Sequence, residues 1–551
     1  MKKNIFLIVI IALGFITRFY RLGEAPAGLY LDEAAQGYNA YSILKTGKDE
    51  FGQPFPVVFR SFADFKTPVY IYLIVPLIPI FGPTPFTVRL PSFIFSVLTL
   101  PLVYFLIKRL LPRKKTAISL ALLTVLLLAI SPWHILFGRT DFEANIALFF
   151  LLLAVYIFHI ALKKPSLLVL SALLFVIAFS AYHAERIIAP LILLLLFIRH
   201  RRELLSPAHR PHLLAGLILG LLLLLPTLLV MATPGFLARA TTLNIFSGNH
   251  SGYLAWYHGS ARALVNASWY LGVKEFFSLY FSYLSPRNLF YLGDYNPRTA
   301  FPDLAPFFTW QFPFYLIGLY RLVKEKKLGE LRFFTLSLLL ISPIPAAMTR
   351  DPFSTIRALP LVLPITVTIT LGLTRSYQYL KSAGIRALTR ACFVIIIIYS
   401  LFNLSSSVFV LNEFLNAGNW NYGWRQVVDK LNTLDQNLPV VVDNDRGEAY
   451  SQVLFFTKFD PRQYQKDNFE VAPEEYYSNL SRNMVKRIGR ISVRGIDWKP
   501  DLAVEQYLVG DYLAISEEQI TRNHLTLIAE IKYPNGSVAF RIVKTARIKR
   551  Q

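Results

Sequence analysis

Two carboxylates, Asp32 and Glu33, stand side by side in the stretch GLYLDEAAQGYNAYSI, a few residues after the first apolar run of the chain. Five further clusters mix acids with bases. They are DFKTP with Asp64 and Lys66, GRTDFEAN with Arg139, Asp141 and Glu143, and AYHAERIIAPL with His183, Glu185 and Arg186. LSPRNLFYLGDYNPR follows with Arg287 and Asp294, then TRDPFSTIRALPL with Arg350, Asp351 and Arg357. Such a set suits a reaction on an anionic substrate, because guanidinium and ammonium groups hold a phosphate while a carboxylate accepts a proton. Asp294 and Asp351 read as ordinary loop charges. Asp32, Asp141, Glu143 and His183 offer oxygen and nitrogen ligands compatible with a divalent metal. No compact ligand spacing of the H-E-x-x-H kind occurs, so no metal is required and a metal site is not assigned.

These groups must be carried by membrane helices. The 551 residues are 54% hydrophobic and 17% charged, and apolar runs near the roughly 20 residues that cross a bilayer recur along the chain. Hydropathy gives about eleven spans, near 4–20, 85–107, 116–137, 144–162, 166–181, 183–198, 212–232, 302–320, 333–348, 357–374 and 391–410. The short, Pro-interrupted segment TPVYIYLIVPLIPIFG (67–82) reads as a helix at or dipping into the outer surface, with a full span as the alternative. The opening MKKNIFLIVIIALGFITRFY resembles a signal peptide, with APA at 25–27 as a cleavage site, and a retained signal anchor is the simpler reading. The single cysteine, Cys392, excludes an intramolecular disulfide and a cysteine metal cluster.

With the N-terminus cytoplasmic, alternate loops hold 22 Lys or Arg against three acids, Glu203, Glu325 and Glu330. That bias sets orientation by the positive-inside rule, and it accounts for the net charge of +23 without nucleic acid. The mixed clusters then gather on the outer face, and several sit against apolar runs, where ionisable groups mark a site or pathway. Arg186, Arg287 and Arg350 are candidates by charge and topology alone. Residues 1–410 form the transmembrane domain and 411–551 an extracytoplasmic α/β domain. In that tail, LPVVVDNDRGEAYSQVLFFTKF reads as strand, turn and helix, and HLTLIAEIKYPNGSVAFRIVK as a hairpin turning at PNG.

The ordered set resembles the GT-C membrane glycosyltransferases of the protein O-mannosyltransferase and aminoarabinose transferase type. It comprises the acidic pair after the first span, DFKTPVYIYLIVPLIPIFGPTPFTVRLPS, then SPWHILFGRTDFEANIALFFLLLA. The resemblance covers Phe6 to Phe150 well and the later spans loosely. It implies a polytopic helical fold. It also implies that Asp32 is the base or acceptor-orienting group with Glu33 as its neighbour, that Lys66 binds the donor phosphate, and that Asp141 is the second-loop aspartate. Arg89 of VRLPS matches an arginine frequently present in those families, and closing the loop onto the helix is an equal alternative. DFKTPVY stands where the O-mannosyltransferases have a longer HPPLGK-type run, which puts a protein Ser/Thr acceptor in question.

The expected activity is inverting transfer of a sugar from a polyprenyl-phosphate donor to an acceptor hydroxyl at the outer face of the cell membrane. The acceptor is a lipid, glycan or protein, and the protein is surrounded by membrane lipids. A lipid or sugar transporter or flippase is the alternative. Against it, no repeated half is visible and the charges gather at one face.

Overall fold

The computed structural model describes residues 2–62, 64–111, 114–233, 245, 268–444, 449–468, 475–477 and 486–546. The chain divides into two compact units, 1–20 with 92–407 and 21–91 with 408–551. Residues 21–91, which lie before the transmembrane boundary read at 410, thus share a unit with the tail.

The first unit is a bundle of apolar helices, and the protein is a polytopic membrane protein. Among the described residues, six helices are long and apolar enough to cross a bilayer, and four shorter apolar helices accompany them, against the eleven spans expected. The expected span at 116–137 is two helices, Lys114–Ala129 and Pro132–Phe137. Pro132 lacks the N–H that would continue the first helix and begins the second, where Ser131 accepts the backbone N–H of His134. The expected span at 302–320 starts only at Phe312, after a stretch containing Pro302 and Pro306. A helix not foreseen, Ser268–Ser282, contains Lys274 and Glu275, which lower its hydropathy.

Helices 312–324 and 362–379 cross at glycines. A Cβ on Gly318 would lie 1.7 Å from the carbonyl oxygen of Thr368, and one on Gly372 would lie 1.8 Å from that of Phe314. Only glycine allows so close an approach, the packing mode that holds helices together where lipid removes the hydrophobic driving force. Thr366, Thr368 and Thr370 donate to carbonyls four residues back, so their hydroxyls are satisfied inside the bundle. The window of helix Arg210–Met231 is only 22% buried. It exposes Leu221, Leu222 and Leu229, a surface that suits lipid.

The second unit is built on a six-stranded mixed sheet. A small antiparallel hairpin precedes it, β1 (Phe59–Ser61) with β2 (Asp64–Lys66). The sheet contains β3 (Val440–Val442), β4 (Lys486–Ile488), β5 (Ile491–Val493), β6 (Tyr507–Gly510), β7 (Thr526–Lys532) and β8 (Val538–Lys544) in the order β4-β5-β3-β6-β8-β7. Strand β3 is parallel to both neighbours and buried throughout, as its continuous Val run requires. On one face Val440, Val442, Val453, Leu454 and Ile542 form a core that also contains Tyr38 of the helix Leu31–Thr46. That helix is therefore a structural part of the tail's domain. β7 and β8 pair antiparallel, joined where Tyr533 N–H donates to the Ser537 carbonyl at 2.8 Å and Gly536 takes φ +86°.

Candidate active site

The acidic pair opens the helix Leu31–Thr46, whose N-cap is Tyr30. Asp32 is the second helical residue and Glu33 the third, so their side chains diverge by about 100 degrees. Their surroundings differ accordingly. Glu33 is 2% exposed. Its Oε2 accepts the backbone N–H of Tyr30 at 3.0 Å, closing the first turn. Arg89 grips it through both carboxylate oxygens, Nε to Oε1 at 2.9 Å and Nη2 to Oε2 at 2.8 Å. The remaining Arg89 donors reach the carbonyls of Leu22, Pro26 and Gly28 at 3.3, 3.0 and 2.7 Å. All five guanidinium N–H groups are thus engaged within the protein, and the Arg89 side chain is fully buried. This geometry matches the loop-closing alternative and leaves no Arg89 donor for a phosphate. Glu33 is held as its buried counterion.

Asp32 faces another way. Its Oδ2 lies 2.9 Å from Lys66 Nζ, and the two side chains keep 22% and 17% of their surface exposed. Lys66 ends β2, directly before Thr67, the N-cap of the helix Pro68–Ile74. The antiparallel register Phe59↔Lys66 fixes it there. After it the chain forms the expected apolar segment in three short pieces, Pro68–Ile74, Val75–Leu77 and Ile78–Phe81, broken at Pro76 and Pro79.

Gly28 ties the loop to the tail. It holds φ +95°, and a Cβ there would meet the Trp420 carbonyl oxygen at 2.2 Å. Gln452 donates to the carbonyl of Leu29 at 2.8 Å, and the Arg89 guanidinium lies 5.9 Å from the Trp420 ring centroid. Behind the hairpin, Asp49 is buried and accepts from Phe51 and Gln53 N–H at 3.0 and 2.8 Å and from the Tyr476 hydroxyl at 2.5 Å. Burial pushes its carboxyl up to about 7 despite those bonds.

The other candidates belong to the first unit. Arg139, Asp141 and Glu143 run into the helix Glu143–Ala161 and are all buried. Arg139 Nη1 donates to the carbonyls of Thr17 and Arg18 at 3.1 and 3.0 Å, capping the C-terminal end of the first helix, where a cation is favoured. His183 and Arg186 flank the start of the helix Glu185–Leu204 and are half-buried, while Arg287 and Arg350 are exposed. Asp294 is a loop brace, accepting from the backbone N–H of Asn296 and Thr355 and from the hydroxyls of Thr299 and Thr355. Asp351 pairs with Arg357.

Residues 65–230 match the sequence profile of the dolichyl-phosphate-mannose-protein mannosyltransferase family. The structure is similar to ArnT from Cupriavidus metallidurans bound to undecaprenyl phosphate, with TM-score 0.53, 11% identity, and 99% of this chain and 98% of that chain covered. The chain has the GT-C fold. The apo state of the same ArnT gives TM-score 0.51 at 11% identity over the same shares. The archaeal oligosaccharyltransferase AglB from Archaeoglobus fulgidus, in complex with an inhibitory peptide and a dolichol-phosphate, gives TM-score 0.50 at 12% identity, covering 100% of this chain and 75% of that chain. A comparison with curated protein sequences finds no significant match. Asp32 and Lys66, both singled out by the sequence motif, lie 2.9 Å apart in this fold.

One grouping escaped the sequence reading. Among the described residues, the ligating atoms that converge as a set belong to His159, His200 and Glu330, none of which was named as a metal ligand.

Proposed function

We propose that this chain is a membrane glycosyltransferase that moves a sugar from a polyprenyl-phosphate donor to an acceptor hydroxyl. Orientation follows the loop charge bias, with the N-terminus cytoplasmic and the Asp32 loop and C-terminal domain outside the cell membrane. The observation that carries the reading is the Asp32–Lys66 contact of 2.9 Å, at a partly open position, beside an adjacent carboxylate that is fully committed to Arg89.

In this reading the donor phosphodiester becomes a second anionic partner of the Lys66 ammonium, which loosens its hold on Asp32. Asp32 is then released to accept the proton of the acceptor hydroxyl as its oxygen attacks the anomeric carbon. The bond from that carbon to the phosphate oxygen breaks, and the polyprenyl phosphate leaves with its new negative charge facing Lys66. The leaving group needs no proton. A single displacement inverts the anomeric centre, and a second carboxylate of the glycosidase kind has no task. Asp141 is the second catalytic candidate, and Arg139, Glu143, His183, Arg186, Arg287 and Arg350 are substrate-binding candidates, all from the first unit. The acceptor is a lipid, glycan or protein hydroxyl.

Purified protein in lipid nanodiscs, given a polyprenyl-phosphate sugar labelled in the sugar, tests the reading. Label should move to the acceptor fraction or be released to water, and Asp32→Asn should abolish that movement while donor still binds. Donor exchange across a vesicle membrane without cleavage of the sugar–phosphate bond would indicate a flippase instead.

A further inference from the structure

We infer that His159, His200 and Glu330 form a binding site for one transition-metal dication of the zinc class, in the helical unit and independent of the Asp32–Lys66 pair. The three come from separate helices. His159 lies in the last turn of Glu143–Ala161, and Glu330 lies in the first turn of Gly329–Ile341. His200 lies near the end of Glu185–Leu204, at a break in the helix where the backbone takes φ −112°, ψ 18°. Their Nε2, Nε2 and Oε2 atoms lie within 4.8 Å of one another, and both imidazoles are buried.

Two of the three ligands, His159 and Glu330, are oriented by a contact on the far side. His159 Nδ1 is 2.8 Å from the carbonyl of Val155, an acceptor only, so Nδ1 carries the proton and Nε2 presents its lone pair. Arg109 holds the His159 carbonyl through two donors at 2.5 and 3.2 Å. Arg199 takes Glu330 Oε1 through Nε and Nη2 at 3.1 and 2.8 Å, leaving Oε2 toward the imidazoles. Fixing the tautomer of a ligating histidine and holding the ligating carboxylate is the arrangement that surrounds protein metal sites.

The consequence is a small space that the three polar atoms face together. Oε2 lies 3.4 Å from His200 Nε2 and 4.0 Å from His159 Nε2. The His159 lone pair and the Glu330 carboxylate oxygen face the same point, and a cation there satisfies both, with His200 Nε2 as the third ligand when its proton is on Nδ1. A tetrahedral ion with ligands at about 2.0–2.2 Å separates them by about 3.4 Å, the distance His200 already keeps from Oε2, while His159 at 4.0 Å must move inward to close on zinc. Two His and one carboxylate, with the fourth position left to water, is a known zinc ligand set. The neighbouring Arg199 and Arg109 disfavour a hard ion held by charge alone, whereas imidazole nitrogens select the zinc, copper and nickel class over magnesium and calcium.

The test uses the full-length protein in detergent, with any affinity tag removed and metal stripped by chelator. Zn2+, Co2+ and Mg2+ are added separately, and bound metal is counted after gel filtration. Wild type should retain one Zn2+ or Co2+ per chain, show visible cobalt bands of nitrogen coordination, gain thermal stability with Zn2+, and ignore Mg2+. His159→Gln, His200→Gln and Glu330→Gln should each lose the cobalt bands and the thermal shift. Arg199→Gln, which leaves all three ligands in place, should fold and weaken zinc by roughly 10- to 100-fold. Retention of no metal by wild type, equal retention by the ligand variants, or Mg2+ bound as tightly as Zn2+ would overturn the site.

Discussion

Lys66 Nζ and Asp32 Oδ2 lie 2.9 Å apart, joining the end of a two-stranded hairpin to the first turn of a helix that begins 35 residues earlier in the chain. The pair sets a cation against a carboxylate at a partly exposed position, while Glu33, one residue on, is sealed against Arg89. Replacing Lys66 with Ala should weaken donor binding by about 1.5 to 3 kcal/mol, roughly 10- to 150-fold, the contribution of a charged hydrogen bond to phosphate. Titration of the purified variant with polyprenyl phosphate measures this directly. An unchanged affinity would remove Lys66 from the donor site.

Arg89→Ala acts on the fold instead. It leaves the Glu33 carboxylate buried without its counterion, a change that costs about 3 to 5 kcal/mol. Low recovery of folded protein and a depressed melting temperature are expected. A variant that folds and melts normally but has lost donor affinity would return Arg89 to the substrate site.

The pH dependence of stability is expected to carry the signature of Asp49. Its carboxyl is pushed up by burial to about 7 in the folded chain, against about 3.9 when unfolded. Between those values the folded chain holds a proton that the unfolded chain has released. Stability should therefore fall as pH rises through the window, by up to about 1.4 kcal/mol per pH unit, and level off above 7. Thermal melts from pH 5 to 8 check this, and Asp49→Asn should flatten the slope. A wild-type slope of the opposite sign would contradict the assignment.

Orientation is open to chemical labelling. With Cys392 replaced by Ser, single cysteines at Phe55 and Leu513, both exposed positions, should each react with an impermeant thiol reagent in intact cells. Protection of both until the cells are permeabilised would reverse the orientation inferred from loop charge.

Local signals in the sequence carried much of this architecture. The Val run at 440–442, the PNG turn and the acidic start of the Leu31–Thr46 helix each follow from short-range patterning, as does the helical character of most apolar runs. Asp32 and Lys66 were legible as a pair only through an ordered motif, because no local rule brings a helix start to a hairpin end. Hydropathy averages over a window, so it passed over the break that Pro132 makes and missed the charged helix Ser268–Ser282. The role of Arg89 depends on three carbonyls from the 21–30 loop, and the convergence of His159, His200 and Glu330 depends on three helices far apart in sequence. Such contacts are products of packing and leave no spacing to read.

Asp32→Asn bears most directly on the account. The structural cap of the helix is Tyr30, with Glu33 closing its first turn, so Asp32 is not needed as a cap. Asparagine is close in size to aspartate but cannot accept a proton. Sugar transfer from a labelled polyprenyl-phosphate donor should fall by roughly a hundredfold or more in this variant, with melting temperature and donor affinity near those of the wild type. Wild-type turnover by a folded Asp32→Asn protein would contradict the assignment of Asp32 as the base.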